Sequence, residues 1–425
     1  MALQPRYHFI MALTSAILYR FPSRGLIVIG VTGTKGKTTV VEILHRMLEE
    51  GGMPTASVSS LWFRIRDGEV RNMQGMTMPG RFFVQRFLAQ ARSSGCTHTV
   101  IEVTSEGIRQ YRHRFIRFRG AVMTNVAPEH IESHGGFENY LRAKLDLFWR
   151  IRKDGYAIIN RDDPHADRFF AATPAPTVYY GKDGIREVLH RGTSGGCQRQ
   201  WRVADIAADD QGVRFLLNDE MIASPLPGIF NAYNLLASSA SALQEGVSVS
   251  LIKKAASEFT AIPGRMEYVQ KEPFSVVIDY AHTPDSLKNV YSFLRESNSK
   301  LKTQNSKLIC VLGSAGGGRD TWKRPEMGKI AAAYCDEIIL TNEDPYDEAP
   351  EKILEDIFSG ASHIRNIRRI LDRREAIRQA IRMAQTGDTV IITGKGAEPW
   401  MHVADGKKIP WDERTMVEKE LKWLL

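Results

Sequence analysis

The chain has 425 residues, 43% of them hydrophobic and 25% charged, the balance of a folded protein of two or three domains rather than of a disordered chain, a coiled coil or a collagen-like fibre. Fifty-seven Lys and Arg against 49 Asp and Glu leave a net charge of +8, which suits a binder of polyanionic small substrates such as nucleotides without demanding nucleic acid. No apolar run reaches the roughly 18–20 residues of a membrane span.

In chain order, residues 9–21 are apolar but broken by Thr14, Ser15 and Arg20. They read as a packed or interfacial helix, without the basic start and cleavage site of a signal peptide. Residues 26–31 form a short Ile- and Val-rich run, followed by a glycine-rich stretch and then residues 38–49, with Val41, Leu44 and Leu48 at helical spacing. That is strand, loop, helix. Residues 99–103, 121–124 and 156–160 predict further buried strands, the last ended by the turn Asp162-Asp163-Pro164. Strands alternating with helices argue for a parallel, doubly wound sheet. Between 178 and 227 the pattern changes. Runs 201–206 and 213–217 flank Ala208-Asp209-Asp210-Gln211-Gly212, which predicts a hairpin and antiparallel strands at the edge of the first domain. Residues 231–244 return to helical spacing. Ile262-Pro263-Gly264 reads as a hinge, and beyond it strand-like runs at 275–280, 308–313, 337–341 and 389–393 restart the α/β pattern. The expected organisation is therefore an N-terminal helical segment 1–24, a central phosphate-loop (P-loop) doubly wound domain 25–262 with a mostly parallel sheet, and a C-terminal Rossmann-like α/β domain 263–425. The polar stretch 297–307 reads as a loop. Cys96, Cys197, Cys310 and Cys335 lie far apart with no CxxC pair, which predicts reduced thiols, no zinc ribbon, no disulfide framework and a cytoplasmic enzyme.

The strongest local motif is Gly33-Thr34-Lys35-Gly36-Lys37-Thr38-Thr39, between strand and helix. Glycines let backbone N–H groups turn toward an anion, and the following helix adds its positive end. Lys37 is placed to reach the β- and γ-phosphates, and the Thr38 hydroxyl to bind Mg²⁺. The eight-residue form of the motif would begin with glycine at Val31, so the match is to the shorter Gly-x-x-Gly-Lys-Thr form. Glu102 ends the predicted strand 99–103, where doubly wound sheets place ligands. His130 follows strand 121–124, and Lys144 lies in Tyr140-Leu141-Arg142-Ala143-Lys144. Taken singly, a loop histidine is most often a surface residue and a strand-end glutamate a solvated charge. Beside a phosphate loop they supply oxygen and imidazole ligands for Mg²⁺.

With these residues in view the sequence resembles the Mur ligases, ATP-dependent amide-forming enzymes of peptidoglycan assembly, and in particular their tripeptide-forming branch. The resemblance runs from about residue 25 to 425 through an ordered series: 33–39, 102–107, 124–135, Ala143-Lys144, 228–235, 264–267, 279–287, 313–325 and 394–398. Asp279-Tyr280-Ala281-His282-Thr283-Pro284-Asp285 is the most characteristic of the branch. The resemblance implies ATP and Mg²⁺, two ions, as cofactors. It makes Lys37, Glu102, His130 and Lys144 catalytic, with Thr38, Glu102, His130 and a CO₂-carbamylated Lys144 as metal ligands. Gly33, Thr34, Lys35, Gly36, Lys37, Thr38 and Thr39 would hold the phosphates, Asn231 and Asn234 would approach the base, and Arg265 and Asp279 would reach phosphates and ribose as the domains close. Thr104 and Ser105 would meet the acceptor, Arg319 the carboxylate of the incoming amino acid, and Asp344, Tyr346 and Glu398 its far end. The implied partners are a muropeptide-type carboxylated acceptor and a free amino acid, with no nucleic acid, no membrane span and a monomeric enzyme. The chemistry agrees: a carboxylate is a poor electrophile, and γ-phosphoryl transfer would convert it to an acyl phosphate that an amine attacks.

Three departures from the family pattern stand out. The phosphate loop starts at residue 33, leaving room for one helix where full-length tripeptide synthetases carry a uridine-nucleotide-binding domain. The acceptor is then expected to be a free muropeptide, a lipid-linked precursor, a nucleotide precursor held less tightly or another carboxylated chain. Glu343-Asp344-Pro345-Tyr346 replaces the Asp-Asn-Pro-Arg of the diaminopimelate-adding branch, and tyrosine cannot supply the fixed charge of that arginine. With Glu343, Asp344, Asp347, Glu348 and Glu398 nearby, a distal ammonium without a carboxylate is favoured, which points to lysine or a similar diamino acid. Ala397 stands where the family usually has histidine. The basic run Arg109, Arg112, Arg114, Arg117 and Arg119 reads as a solvated face or as an anion-binding edge for the acceptor. The rival readings are a polyamino-acid or folate-type glutamate ligase of the same fold, a regulatory pseudo-ligase, and a phosphate-loop switch or nucleic-acid-dependent NTPase.

Overall fold

The computed structural model describes residues 3–188, 200–300, 306–363 and 365–423. Cys197 lies outside them. The chain divides into two compact units: Met1–Pro128 with Gly136–Thr260, and Glu129–Gly135 with Ala261–Leu425.

The first unit opens with helix α1 (Leu3–Leu18) and a short 3₁₀ turn, Pro22–Gly25. Strand β1 (Ile27–Thr32) leads through the glycine loop into α2 (Lys37–Glu50). Strands β2 (Thr55–Val58), β3 (Trp62–Ile65) and β4 (Gly68–Arg71), helix α3 (Arg81–Ser93), β5 (His98–Glu102), α4 (Ser105–Arg109) and β6 (Phe118–Met123) follow. The chain then makes α5 (Ile131–His134), which belongs to the second unit, and returns as α6 (Phe137–Trp149), β7 (Tyr156–Asn160), α7 (Ala166–Ala172) and β8 (Thr177–Gly181). Next come β9 (Gly184–Val188), β10 (Gln200–Trp201), β11 (Val203–Ala208), β12 (Val213–Leu217) and β13 (Glu220–Ser224), and the unit ends with α8 (Ile229–Gln244) and α9 (Val249–Ser257).

The main sheet has the order β10-β9-β8-β7-β6-β1-β5-β2-β3-β4. Its six central strands, β8 to β2, are parallel. They are continuous apolar runs because helices cover them: β1, β5 and β7 are buried along nearly their whole length. One core packs Val84, Phe87 and Leu88 of α3, Leu147 and Phe148 of α6 and Phe169 of α7 against the sheet. The expected hairpin forms between β11 and β12, but with β13 it makes a separate three-stranded sheet, while β9 and β10 supply the antiparallel edge.

The second unit contains β14 (Glu267–Gln270), β15 (Ser275–Asp279), α10 (Pro284–Lys300), β16 (Leu308–Leu312), α11 (Lys323–Tyr334), β17 (Glu337–Leu340) and α12 (Pro350–Ser359). It ends with β18 (Ile367–Arg369), α13 (Arg373–Met383), β19 (Thr389–Thr393), the small hairpin β20 (Trp400–His402) and β21 (Lys408–Pro410), and α14 (Glu413–Lys422). Its sheet runs β14-β15-β19-β16-β17-β18, parallel apart from β14. Ile377 and Ile381 of α13 and Val417 of α14 pack on Ile278, Val311 and Ile392.

Two expectations are corrected here. Residues 297–300 are not loop: α10 runs on to Lys300, and 301–305 lie outside the described residues. Nor are all the cysteines reduced, because Cys310 and Cys335 form a disulfide while Cys96 is free and buried. The two cysteines are distant in sequence, but α11 returns across the sheet to start β17 beside β16. That brings the end of the helix to the middle of β16, with the Cα atoms 6.1 Å apart.

Candidate active site

In the first unit the glycine loop sits at the carboxyl end of β1, flanked by β5 and β6, the edge where open parallel sheets bind ligands. Two glycines are required by their surroundings. Gly36 has φ +82°, and a Cβ there would lie 2.4 Å from Asn234 Oδ1; a Cβ on Gly33 would lie 1.9 Å from Thr124 Oγ1. The loop is braced from β6: Lys35 N–H donates to Asn125 Oδ1 at 2.9 Å, and the Thr124 hydroxyl donates to the Lys35 carbonyl at 2.6 Å. Thr34 meets the Tyr140 hydroxyl at 2.9 Å. Lys37 folds back over the loop and donates to the carbonyls of Gly33 (3.1 Å) and Thr34 (2.8 Å). Thr39 is buried in the first turn of α2.

Around this loop the fold gathers most of the residues singled out in the sequence. The Thr38 hydroxyl donates to Glu102 Oε2 at 3.0 Å, and the Ser60 N–H donates to the same oxygen at 3.0 Å. Glu102 is buried. Lys144, on the buried face of α6, donates to the Gly33 carbonyl at 2.7 Å and lies 4.4 Å from the centre of the Tyr140 ring. At the start of α8, Asn231 donates to the Pro227 carbonyl and Asn234 donates to Asn231 Oδ1, at 2.8 and 3.0 Å, so the pair is fixed beside Gly36. Thr104 caps α4, its hydroxyl accepting from Gly107 N–H at 3.0 Å, and Ser105 is buried at the first helical position.

His130 lies in a segment that groups with the second unit. Glu129–Gly135 packs with the second unit, because Asp320 caps α5 by accepting from the N–H groups of Ile131 (3.2 Å) and Glu132 (3.0 Å). Glu129 also meets His282 Nε2 at 3.1 Å.

In the second unit the carboxyl ends of β15, β19, β16 and β17 carry the remaining candidates. Asp279 accepts from Met266 N–H and Ala281 N–H, each at 2.7 Å, and so shapes the turn that bears Arg265. Arg265 lies 4.3 Å from the Tyr280 ring centre. Arg319 is exposed in the glycine loop after β16, and, with burial opposing it, Tyr346 helps hold the guanidinium pKa above its ordinary value. Tyr346 stacks on His402.

The acidic residues are not an open field of negative charge, which corrects the argument for a lysine substrate. Lys395, fully buried, donates to Asp344 Oδ1 (2.9 Å), Asp344 Oδ2 (2.8 Å) and Glu398 Oε2 (2.6 Å). Tyr280 donates to Glu398 Oε1 at 2.7 Å. Glu348 is held by both terminal nitrogens of Arg324, and Asp347 accepts from Asp405 N–H. Burial works against the Lys395 ammonium, but Glu398 and Asp344 outweigh it and hold its pKa above the ordinary lysine value. Burial likewise works against the Glu398 carboxylate, and Lys395 outweighs it. Glu343 is the exception: it is buried, its Oε2 has no hydrogen-bond partner among the described residues, and burial, then Asp344, raises its pKa to about 7.

Sequence reasoning missed Lys395, Ser60 and Asp320. Lys395 lies inside the Gly394–Glu398 motif but reads there as one more loop lysine. Ser60 follows no pattern, and Asp320 was passed over as the neighbour of Arg319.

The first unit fits a triphosphate and its cation. Gly33 and Gly36 leave the space a side chain would fill, and Thr38 and Glu102 offer the hard oxygens Mg²⁺ takes. Among the described residues no group of three or more His, Cys, Asp or Glu forms a metal cage. A phosphate loop of this build at the head of a parallel sheet defines a nucleotide-binding α/β protein.

Comparison with known proteins takes this further. Residues 31–242 match the Mur ligase middle domain, and residues 264–396 match the Mur ligase glutamate ligase domain. The chain is 38% identical over 421 residues to a UDP-N-acetylmuramoyl-L-alanyl-D-glutamate–2,6-diaminopimelate ligase of Syntrophomonas wolfei, covering 97% of this chain and 81% of the relative. It is 37% identical to the enzyme of the same name from Aquifex aeolicus, covering 94% and 78%. Among solved structures, one of a ligase of that name aligns at 29% identity with a TM-score of 0.59, over 94% of this chain and 79% of the other. The folylpolyglutamate synthase of Mycobacterium tuberculosis shares the fold, with a TM-score of 0.70 at 17% identity over 90% and 91%. The chain belongs to the Mur ligase family and is an ATP-dependent acid–amino-acid ligase.

Proposed function

We propose that this ligase joins a diamino acid to a carboxylate of a muropeptide-type acceptor through an acyl phosphate, in the cytoplasm. The observation that carries the reading is the joined set Lys37, Thr38, Glu102 and Lys144 around the glycine loop. In this account the loop N–H groups and Lys37 bind the β- and γ-phosphates, and Asn231 and Asn234 flank the base. Thr38, Glu102 and carbamylated Lys144 would hold Mg²⁺, which supplies charge neutralisation on the phosphates when bound. The acceptor carboxylate, held near Thr104 and Ser105, attacks the γ-phosphorus and ADP leaves. The amino group of the second substrate then attacks the acyl carbon and expels phosphate. Arg319 pairs with that substrate's α-carboxylate, its fork suited to a bidentate contact. Glu398, oriented by Tyr280 and Lys395, faces the distal amine.

The names of the relatives favour diaminopimelate, and the pairing of Asp344 and Glu398 with Lys395 removes the charge argument against it. Tyr346, where that branch has arginine, favours a second reading in which the substrate is lysine. Phosphate release from ATP across acceptors with and without UDP, with product mass read under competition between lysine and meso-diaminopimelate, tests the proposal. It requires release that depends on both acceptor and diamino acid. Release with glutamate alone as donor would move the enzyme to the folate-type class.

A further inference from the structure

Helix α1 buries its small residues and exposes its large apolar ones. Ala12, Ser15 and Ala16 face the first unit, where α1 packs on α3. Tyr7, Ile10, Ile17 and Leu18 are 58, 59, 57 and 62% exposed. They recur at i, i+3, i+10 and i+11 and form one stripe along the helix. A helix that is apolar on both sides is expected to be covered on both.

The charges around the stripe have one sign. No acidic residue occurs in α1. Arg6, Arg20 and Arg24 are exposed at its two ends. Beside it, Arg81 bonds His8 Nδ1 and lies 6.0 Å from the Tyr7 ring centre, and Arg114 lies 5.6 Å from the Phe9 ring centre. Burial, then Arg81 and Arg112, holds the His8 pKa below its ordinary value. Arg112 and Arg114 come from the basic run 109–119. Glu106, whose charge acts on His8, is paired with Arg109 at 3.2 Å.

We propose that α1 and its arginine rim dock this enzyme on an anionic lipid bilayer, the Tyr7–Ile10–Ile17–Leu18 stripe entering the boundary between headgroups and acyl chains while the arginines meet lipid phosphates. Apolar stripe and cationic rim are together the signature of an interfacial helix. A second copy would cover the stripe but bring two arginine rims together. A soluble polyanion would satisfy the arginines and leave the stripe in water.

Co-sedimentation of the full chain with vesicles of phosphatidylcholine mixed with phosphatidylglycerol, and with vesicles of phosphatidylcholine alone, tests the inference. The expected result is binding to the mixed vesicles that weakens with added salt, and little binding to the neutral ones. Ile17→Ser with Leu18→Ser should lower partitioning at least about tenfold, and Arg20→Gln with Arg24→Gln several-fold. Both pairs should keep wild-type ligation and a wild-type unfolding midpoint, because all four side chains are exposed. Equal binding to both vesicle types, no binding to either, or full binding by the Ile17/Leu18 variant would overturn the proposal. So would a wild-type dimer that the Ile17/Leu18 variant disperses.

Discussion

Lys395→Met keeps the length of a buried side chain and removes its charge. In the wild type that ammonium makes three hydrogen bonds to two carboxylates, Asp344 and Glu398, with a third buried carboxyl, Glu343, close by. Breaking a buried ion pair from one side typically costs about 3–5 kcal/mol, because the surviving charge is left without compensation. Two survivors place this variant at the upper end of that range at neutral pH. The loss should shrink in acid, where a stranded carboxylate can take up a proton and shed its uncompensated charge. Urea unfolding followed by tryptophan fluorescence, at mildly acidic and mildly alkaline pH, measures both quantities. The double variant with Asp344→Asn should recover much of the loss, since it removes one stranded charge. Because Lys395 orients Glu398, the surviving activity should show a raised KM for the amino acid and an unchanged KM for ATP. A loss below about 1 kcal/mol, the size of an ordinary substitution, or a loss independent of pH would refute this description of the cluster.

Gly36→Ala should weaken ADP binding at least about tenfold in calorimetric titration, since the new Cβ meets Asn234 at a left-handed φ; wild-type affinity would remove this loop as the nucleotide site. Glu343 has a folded pKa raised from 4.5 to about 7, so its contribution is largest below 4.5 and is lost as pH rises through 7. Glu343→Gln should remove a decline of up to roughly 3 kcal/mol over that window, read from unfolding curves of the two proteins at matched pH. His45, buried in α2, has the opposite sign: burial, then Arg46, lowers its pKa from 6.5 to about 4. Its neutral form stabilises the fold above 6.5, and that contribution is lost as pH falls through 4. His45→Gln should flatten acid destabilisation by roughly 3 kcal/mol, and an unchanged acid limb would mean that the histidine is not buried neutral.

What the sequence made legible was what local pattern encodes. The Ile- and Val-rich runs at 26–31, 99–103 and 156–160 became β1, β5 and β7 because a strand covered on both faces must be apolar throughout. The phosphate loop was readable because its glycines answer to backbone conformation and close contact. The rest depended on approaches that no spacing announces. Residues 129–135 joined the second unit because Asp320, nearly 190 residues on, caps α5. Lys395 reaches Asp344 only because β19 and β17 both flank β16, so a loop lysine ends inside an acidic cluster. Cys310 and Cys335 met through the return of α11. The charge argument about the amino acid failed for the same reason: the carboxylates were counted, but their partners could not be.

Isotope transfer tests the central claim, that ATP activates the acceptor as an acyl phosphate. A muropeptide acceptor whose reacting carboxylate carries ¹⁸O in both oxygens is turned over with ATP and the diamino acid, and the released phosphate is analysed by mass spectrometry. The account predicts one ¹⁸O in each phosphate released and none in the nucleotide product. Label appearing in AMP, or unlabelled phosphate accompanying labelled peptide, would contradict it.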